Sequence, residues 1–115
     1  MRPFEQGDVV RVPFPYTDRE TRQRRPALVV SRGTVDEGDS LLWVVMITSA
    51  ENRPWAGDVS LADEYRAVGL PIPSVVRPVK IATIEVGHAD RIGHLPDIVW
   101  RRVAAELRRC LGFED

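Results

Sequence analysis

A chain of 115 residues is long enough for one ordinary domain and too short for two, so a single domain over residues 1–115 is expected. Its 43% hydrophobic and 29% charged residues exclude a disordered chain, and no apolar run reaches the roughly 18 residues of a membrane helix. A net charge of −1 gives no overall pull toward nucleic acid, and the single cysteine, Cys110, excludes an internal disulfide or a cysteine-based zinc site.

In chain order, Met1–Gln6 lacks the apolar stretch of a signal peptide, which sets the expectation of a cytoplasmic protein. Gly7-Asp8 is a turn signal, and Val9-Val10-Arg11-Val12-Pro13-Phe14 reads as a first strand whose end Pro13 and Pro15 demote to an edge. Residues 17–25 are polar and read as a loop with four arginines against Asp18 and Glu20. Pro26–Ser31 is a short buried strand, and Leu41–Thr48 is the strongest strand signal in the chain. Asp58–Leu61 suggests a short strand, and Ala62–Val68 one or two helical turns stopped by Gly69. Ser74–Arg77 and Lys80–Ile84 read as strands broken at Pro78, and Arg91–Gly93 as a last short strand or turn.

Near the C-terminus the period changes. Val99, Val103, Leu107 and Leu111 recur at helical spacing, with Ala104 and Cys110 beside them. Pro96 suits the first helical turn, Asp97 complements the helix dipole, and Gly112 ends the helix. Cys110 is expected to be a small buried hydrophobe on that helix. Five to seven short strands before one amphipathic helix define an α+β, mostly β, fold: a small, partly closed barrel with a helix packed on it.

Four segments together resemble the MazF/PemK toxins of type II toxin–antitoxin systems. They are Gly7-Asp8-Val9-Val10 with Phe14-Pro15-Tyr16-Thr17-Asp18, Arg24-Arg25-Pro26 entering a buried strand, Ile47-Thr48-Ser49, and the second half from Gly69-Leu70-Pro71 to Arg91-Ile92-Gly93-His94-Leu95. The resemblance implies an SH3-like barrel with a C-terminal helix, usually a homodimer. It implies an endoribonuclease that cuts single-stranded RNA through the ribose 2′-hydroxyl without a metal, inhibits growth, and is blocked by a cognate protein antitoxin.

The resemblance places a catalytic arginine at Arg25, whose fork of donors suits non-bridging phosphate oxygens. It gives Thr48 a role at the scissile phosphate. The plain alternatives are a solvated loop arginine and an ordinary strand threonine. Arg24, Tyr16, Thr17, Ser49, Ser74 and Arg77 are expected to bind RNA. Tyr16 could stack on a base or simply pack, and burial suits Phe14 better. Many relatives carry an acidic residue two places after the arginine at Arg77. Val79 stands there in this chain, so the general base is not assigned. His88 and His94 have suitable intrinsic acidity but lie outside the shared motifs. Two histidines six residues apart make no zinc pattern, and no cofactor is expected.

Trp43, Met46 and Trp55 are candidate dimer-interface residues, with core packing the alternative for Trp43. Two other functions fit the same barrel. One is a gyrase-binding toxin of the CcdB kind, which would not need Arg25 and Thr48 in these places. The other is a toxin relic or SH3-like binding module that has lost activity, which the departure at Val79 keeps open.

Overall fold

A computed structural model of the chain describes residues 3–13 and 23–113. Tyr16 and Thr17, and most of the arginine-rich loop, lie outside the described residues. Six strands form one antiparallel sheet. They are β1 (Asp8–Pro13), β2 (Arg24–Val29), β3 (Leu41–Ser49), β4 (Val59–Ser60), β5 (Ser74–Glu85) and β6 (Asp90–His94), followed by helix α1 (Asp97–Leu111). Their order across the sheet is β4-β5-β3-β2-β1-β6, a curled half-barrel whose edges are β4 and β6.

Alternation along the strands explains how so short a chain buries two apolar clusters. Val9, Leu28, Val45 and Ile47 point to one face and pack with Leu61, Val68, Leu70, Val99 and Val103. Val10, Val12, Ala27, Val29, Val44 and Met46 point to the other and pack with Leu42, Ile84 and Ala89. The helix and the segment after β4 cover the first face. The curl of the sheet brings residues of β1, β2, β3 and β5 together on the second.

Pro78 does not break a strand in two. β5 runs unbroken from Ser74 to Glu85, and the irregularity is a bulge: Val45 pairs with Ile81 while the next residue, Met46, pairs with Arg77. Proline has no amide for the ladder, and a bulge is where a strand tolerates one. Residues 62–68 form no regular helix. One turn closes through the Val68 amide on the Glu64 carbonyl and is stopped by Gly69 at φ +88°. Gly69 and Gly93 sit back to back. A Cβ at Gly93 would collide with the backbone carbonyl of Val68, and one at Gly69 with that of Ile92.

Helix α1 ends at Gly112 in the left-handed conformation, as expected, and Pro96 precedes the first turn as its cap. Cys110 is exposed, which corrects the expectation of burial. The helical period does put it in line with Val99 and Val103, but residues 108–113 are all exposed. Leu111 and Phe113 are 59% and 69% exposed there. The side chain of Met46 lies in the core at 4% exposure, while that of Trp43 is 48% exposed. Of the three interface candidates, only Trp43 and Trp55 therefore present surface.

Candidate active site

The pairing between β2 and β3 stops at Ala27 opposite Met46. Pro26 has no amide to extend it. Continuing the register two residues further sets Arg25 opposite Thr48. Both belong to the alternating row that contains Ala27, Val29, Val44 and Met46, so the inward-facing row runs out of the core and becomes polar where the strands part. Arg77 pairs with Met46 from the other side and shares that face.

Two depressions meet at this point. A cleft of about 320 Å³ is lined by Arg11, Arg24, Arg25 and Pro26 on one side and by Ile47, Thr48, Ser49 and Asn52 on the other. Leu70, Pro71, Ile72 and Ser74 complete it. A smaller hollow of about 50 Å³ lies between Arg25, Met46, Ile47, Thr48, Arg77 and Lys80. Arg25, Ile47 and Thr48 form the wall common to both. Among the described lining residues there are four arginines and one lysine, and no aspartate, glutamate or histidine. Such a surface attracts anions despite the near-neutral chain.

The individual side chains differ in what they are already doing. Arg25 is exposed and its Nη2 donates to the Gln23 side chain at 3.3 Å. Thr48 Oγ1 accepts from Asn52 Nδ2 at 2.6 Å. Ser49 Oγ accepts from the Glu51 amide at 3.1 Å. Ser74 is buried at 3% exposure, and its hydroxyl donates to the Ile72 carbonyl at 2.8 Å. Arg24 lines the cleft, but its guanidinium reaches across β1 to Asp90 at 2.6 Å and to the carbonyls of Arg11 and His88.

Arg77 is a strut. It is 7% exposed and grips Asp58 with Nε and Nη2, each at 3.0 Å, while Nη2 also donates to the Arg53 carbonyl. Its guanidinium lies 4.2 Å from the centre of the Trp55 ring. Burial pushes the Asp58 carboxyl up, but the Arg77 bond and charge and the Trp55 amide outweigh it and hold the group below its ordinary range. The loop from Arg53 to Asp58 is thus pinned to β5 beside the small hollow.

The histidines lie elsewhere. His94 Nδ1 meets Asp8 Oδ1 at 2.8 Å, and Arg91 Nε donates to Asp8 Oδ2 at 2.9 Å. Asp8 is 2% exposed, and its carboxyl is held low because these bonds and the Glu5 amide overcome the burial that pushes it up. This cluster knits the start of β1 to β6. Ligand atoms of Glu5, Asp8 and His94 lie within 4.8 Å of one another, a grouping that sequence spacing did not suggest. The sequence also gave no reason to single out Asn52, Arg11 or Lys80. Their place in the lining follows from the turn after β3, from β1 pairing and from the β5 bulge.

A small curled antiparallel sheet, backed by one helix and carrying an arginine-rich cleft where two strands part, defines a class of compact barrel with a cationic cleft. Comparison with known proteins makes that class specific. The family model described as PemK-like, MazF-like toxin of type II toxin–antitoxin systems matches residues 5–111. The chain belongs to this family. A crystal structure of MazF from Deinococcus radiodurans is 22% identical, with TM-score 0.71, covering 97% of this chain and 99% of its own. An endoribonuclease in complex with its cognate antitoxin from a mycobacterial species is 18% identical, with TM-score 0.72, covering 97% and 96%. The Mycobacterium tuberculosis toxin MazF-mt6 is 22% identical, with TM-score 0.66, covering 99% and 100%. At these identities the likeness is one of fold. No curated protein sequence matches significantly.

Proposed function

We propose that the protein is the toxin of a type II pair and acts as an endoribonuclease on single-stranded RNA, with Arg25 and Thr48 at the scissile phosphate. The observation that carries this reading is that Arg25 and Thr48 line the wall common to two adjoining cationic depressions, beside the end of the β2–β3 pairing.

The chemistry follows from the groups present. The ribose 2′-oxygen attacks the adjacent phosphorus, the bond to the 5′-oxygen breaks, and the products are a 2′,3′-cyclic phosphate and a 5′-hydroxyl. One proton leaves the 2′-hydroxyl and one joins the departing 5′-oxygen. Arg25 holds two non-bridging oxygens as charge gathers on the phosphorane. Thr48 donates its hydroxyl to the same phosphate. Arg11 and Lys80, lining the cleft and the hollow, favour the strand on either side. The lining offers donors and cations rather than carboxylate ligands, which suits a reaction run by side chains alone.

The test is cleavage of a defined oligoribonucleotide by purified protein with a chelator present, beside the same oligomer with a single 2′-deoxy substitution at the cut site. Cleavage of the first and not the second is expected. Loss of activity in the chelator, or cutting of the deoxy substrate, overturns this mechanism. The bare lining also favours a second reading, an RNA-binding module without catalysis, because no described carboxylate or imidazole faces the two depressions. Binding without cleavage in the same assay selects it.

The protein is proposed to act as a homodimer in the cytoplasm and to be held by a cognate antitoxin. Support for pairing comes from the open edges β4 and β6 and from the exposed Trp43 and Ile81, which project from β3 and β5. An antitoxin segment carrying acidic residues would match the cationic lining and compete with RNA.

A further inference from the structure

We infer that Asn52 is a positioning residue that sets the direction of the Thr48 hydroxyl, an inference that rests on the nuclease reading above. A threonine hydroxyl has one proton to give and two lone pairs to receive, and its proton rotates to suit its surroundings. At a phosphate only the giving direction helps, because the phosphate oxygens are all acceptors. Asn52 Nδ2 donates to Thr48 Oγ1 at 2.6 Å. That bond fills a lone pair and leaves the proton of Thr48 to point elsewhere, and both residues line the cleft. Without Asn52 the hydroxyl is free to turn its proton to another acceptor or to water.

Asn52 is itself held for this task. Its amide donates to the Ser49 carbonyl at 3.1 Å, the Glu51 amide donates to Ser49 Oγ at 3.1 Å, and the Ala50 amide donates to the Pro73 carbonyl at 2.9 Å. The turn after β3 is therefore tied both to the strand end and to the segment entering β5. The side-chain pair is exposed, and an exposed neutral hydrogen bond adds little to stability. Its consequence falls on the orientation of one proton rather than on the fold.

The experiment compares Asn52→Ala, Asn52→Asp, Thr48→Ala and the Asn52→Ala/Thr48→Ala double variant in cleavage of one oligoribonucleotide, with melting temperatures for each. Asn52→Ala should lower kcat about tenfold and leave KM within about twofold, because the loss is of direction and not of substrate contact. Asn52→Asp is nearly isosteric but accepts where asparagine donates, and it adds charge beside the phosphate. At pH 8 it should lose about a hundredfold. Relative to wild type its activity should climb toward that of Asn52→Ala only as the pH falls below about 4 and the carboxyl takes up a proton. In the Thr48→Ala background, Asn52→Ala should cost nothing further.

An active wild type with Asn52→Ala at full kcat overturns the positioning role and leaves the nuclease reading standing. So does an equal loss from Asn52→Ala with and without Thr48, which would make Asn52 act independently. A wild type that cleaves no RNA overturns the nuclease reading and this inference with it.

Discussion

Replacing Arg77 separates a residue that touches RNA from one that holds the site together. The guanidinium makes two bonds to Asp58 and one to the Arg53 carbonyl, and it lies 4.2 Å from the centre of the Trp55 ring. Arg77 and Asp58 expose only 9% and 10% of their side chains. Arg77→Ala removes three bonds at once and leaves the Asp58 carboxylate buried and unpaired. A broken buried ion pair costs about 3–5 kcal/mol. For a chain of this size that corresponds to a melting temperature lower by roughly 10–20 °C. Because the stranded carboxylate is the main penalty, Asp58→Asn/Arg77→Met should recover more than half of the loss. Arg77→Lys keeps the charge but not the fork and should still destabilise. The assay is thermal melting of the four proteins beside RNA affinity by titration at fixed salt. An Arg77→Ala variant that melts within about 2 °C of wild type yet no longer binds RNA would refute the reasoning, because the residue would then act on the substrate and not on the fold.

The remaining predictions concern charge, pH and close packing. Arg25→Ala should melt like wild type and lose at least about a hundredfold in cleavage rate, and Arg25→Lys should recover little of it; normal cleavage by the alanine variant would remove Arg25 from the site. Asp8 and Asp58 both have carboxyls held below the ordinary value of 3.8, so their contribution is fully present above that value and is lost as the pH falls through their lower folded values. Stability by urea titration should therefore be flat from neutral pH to about 5 and decline below 4, with a shallower decline in Asp8→Asn. Gly93→Ala drives a methyl into the Val68 carbonyl and should cost about 3 kcal/mol, read by the same titration; a neutral effect would show that the two segments part easily.

Much of this architecture was legible from residue order because it depends on local period. The strand that becomes β3, the helix and its glycine stop are all set by patterns a few residues long. The resemblance drew attention to Arg25 and Thr48, but their facing positions depend on the register of β2 against β3, which no single segment carries. The role of Arg77 depends on Asp58, nineteen residues earlier in the chain. Asn52 was silent because a turn asparagine has many local uses, and only the fold shows its amide against Thr48. Pro78 misled in the opposite way: a missing amide looks like a strand end when the bulge that absorbs it is invisible. Cys110 has the right period for burial, but periodicity does not say which turns of a helix are covered, and the last turn is exposed.

The point where β2 and β3 part has a bearing on when the cleft comes into being. Arg25 and Thr48 are separated by a long excursion of chain, and each alone is an ordinary surface group. They line one wall only after Ala27, Leu28 and Val29 have found Met46, Val45 and Val44. A slip of one residue would turn Arg25 to the opposite side and put Arg24 in its place. In the unfolded chain the two side chains therefore have no fixed relation to each other. Their juxtaposition is a property of the aligned strands, gained as cooperatively as the fold itself.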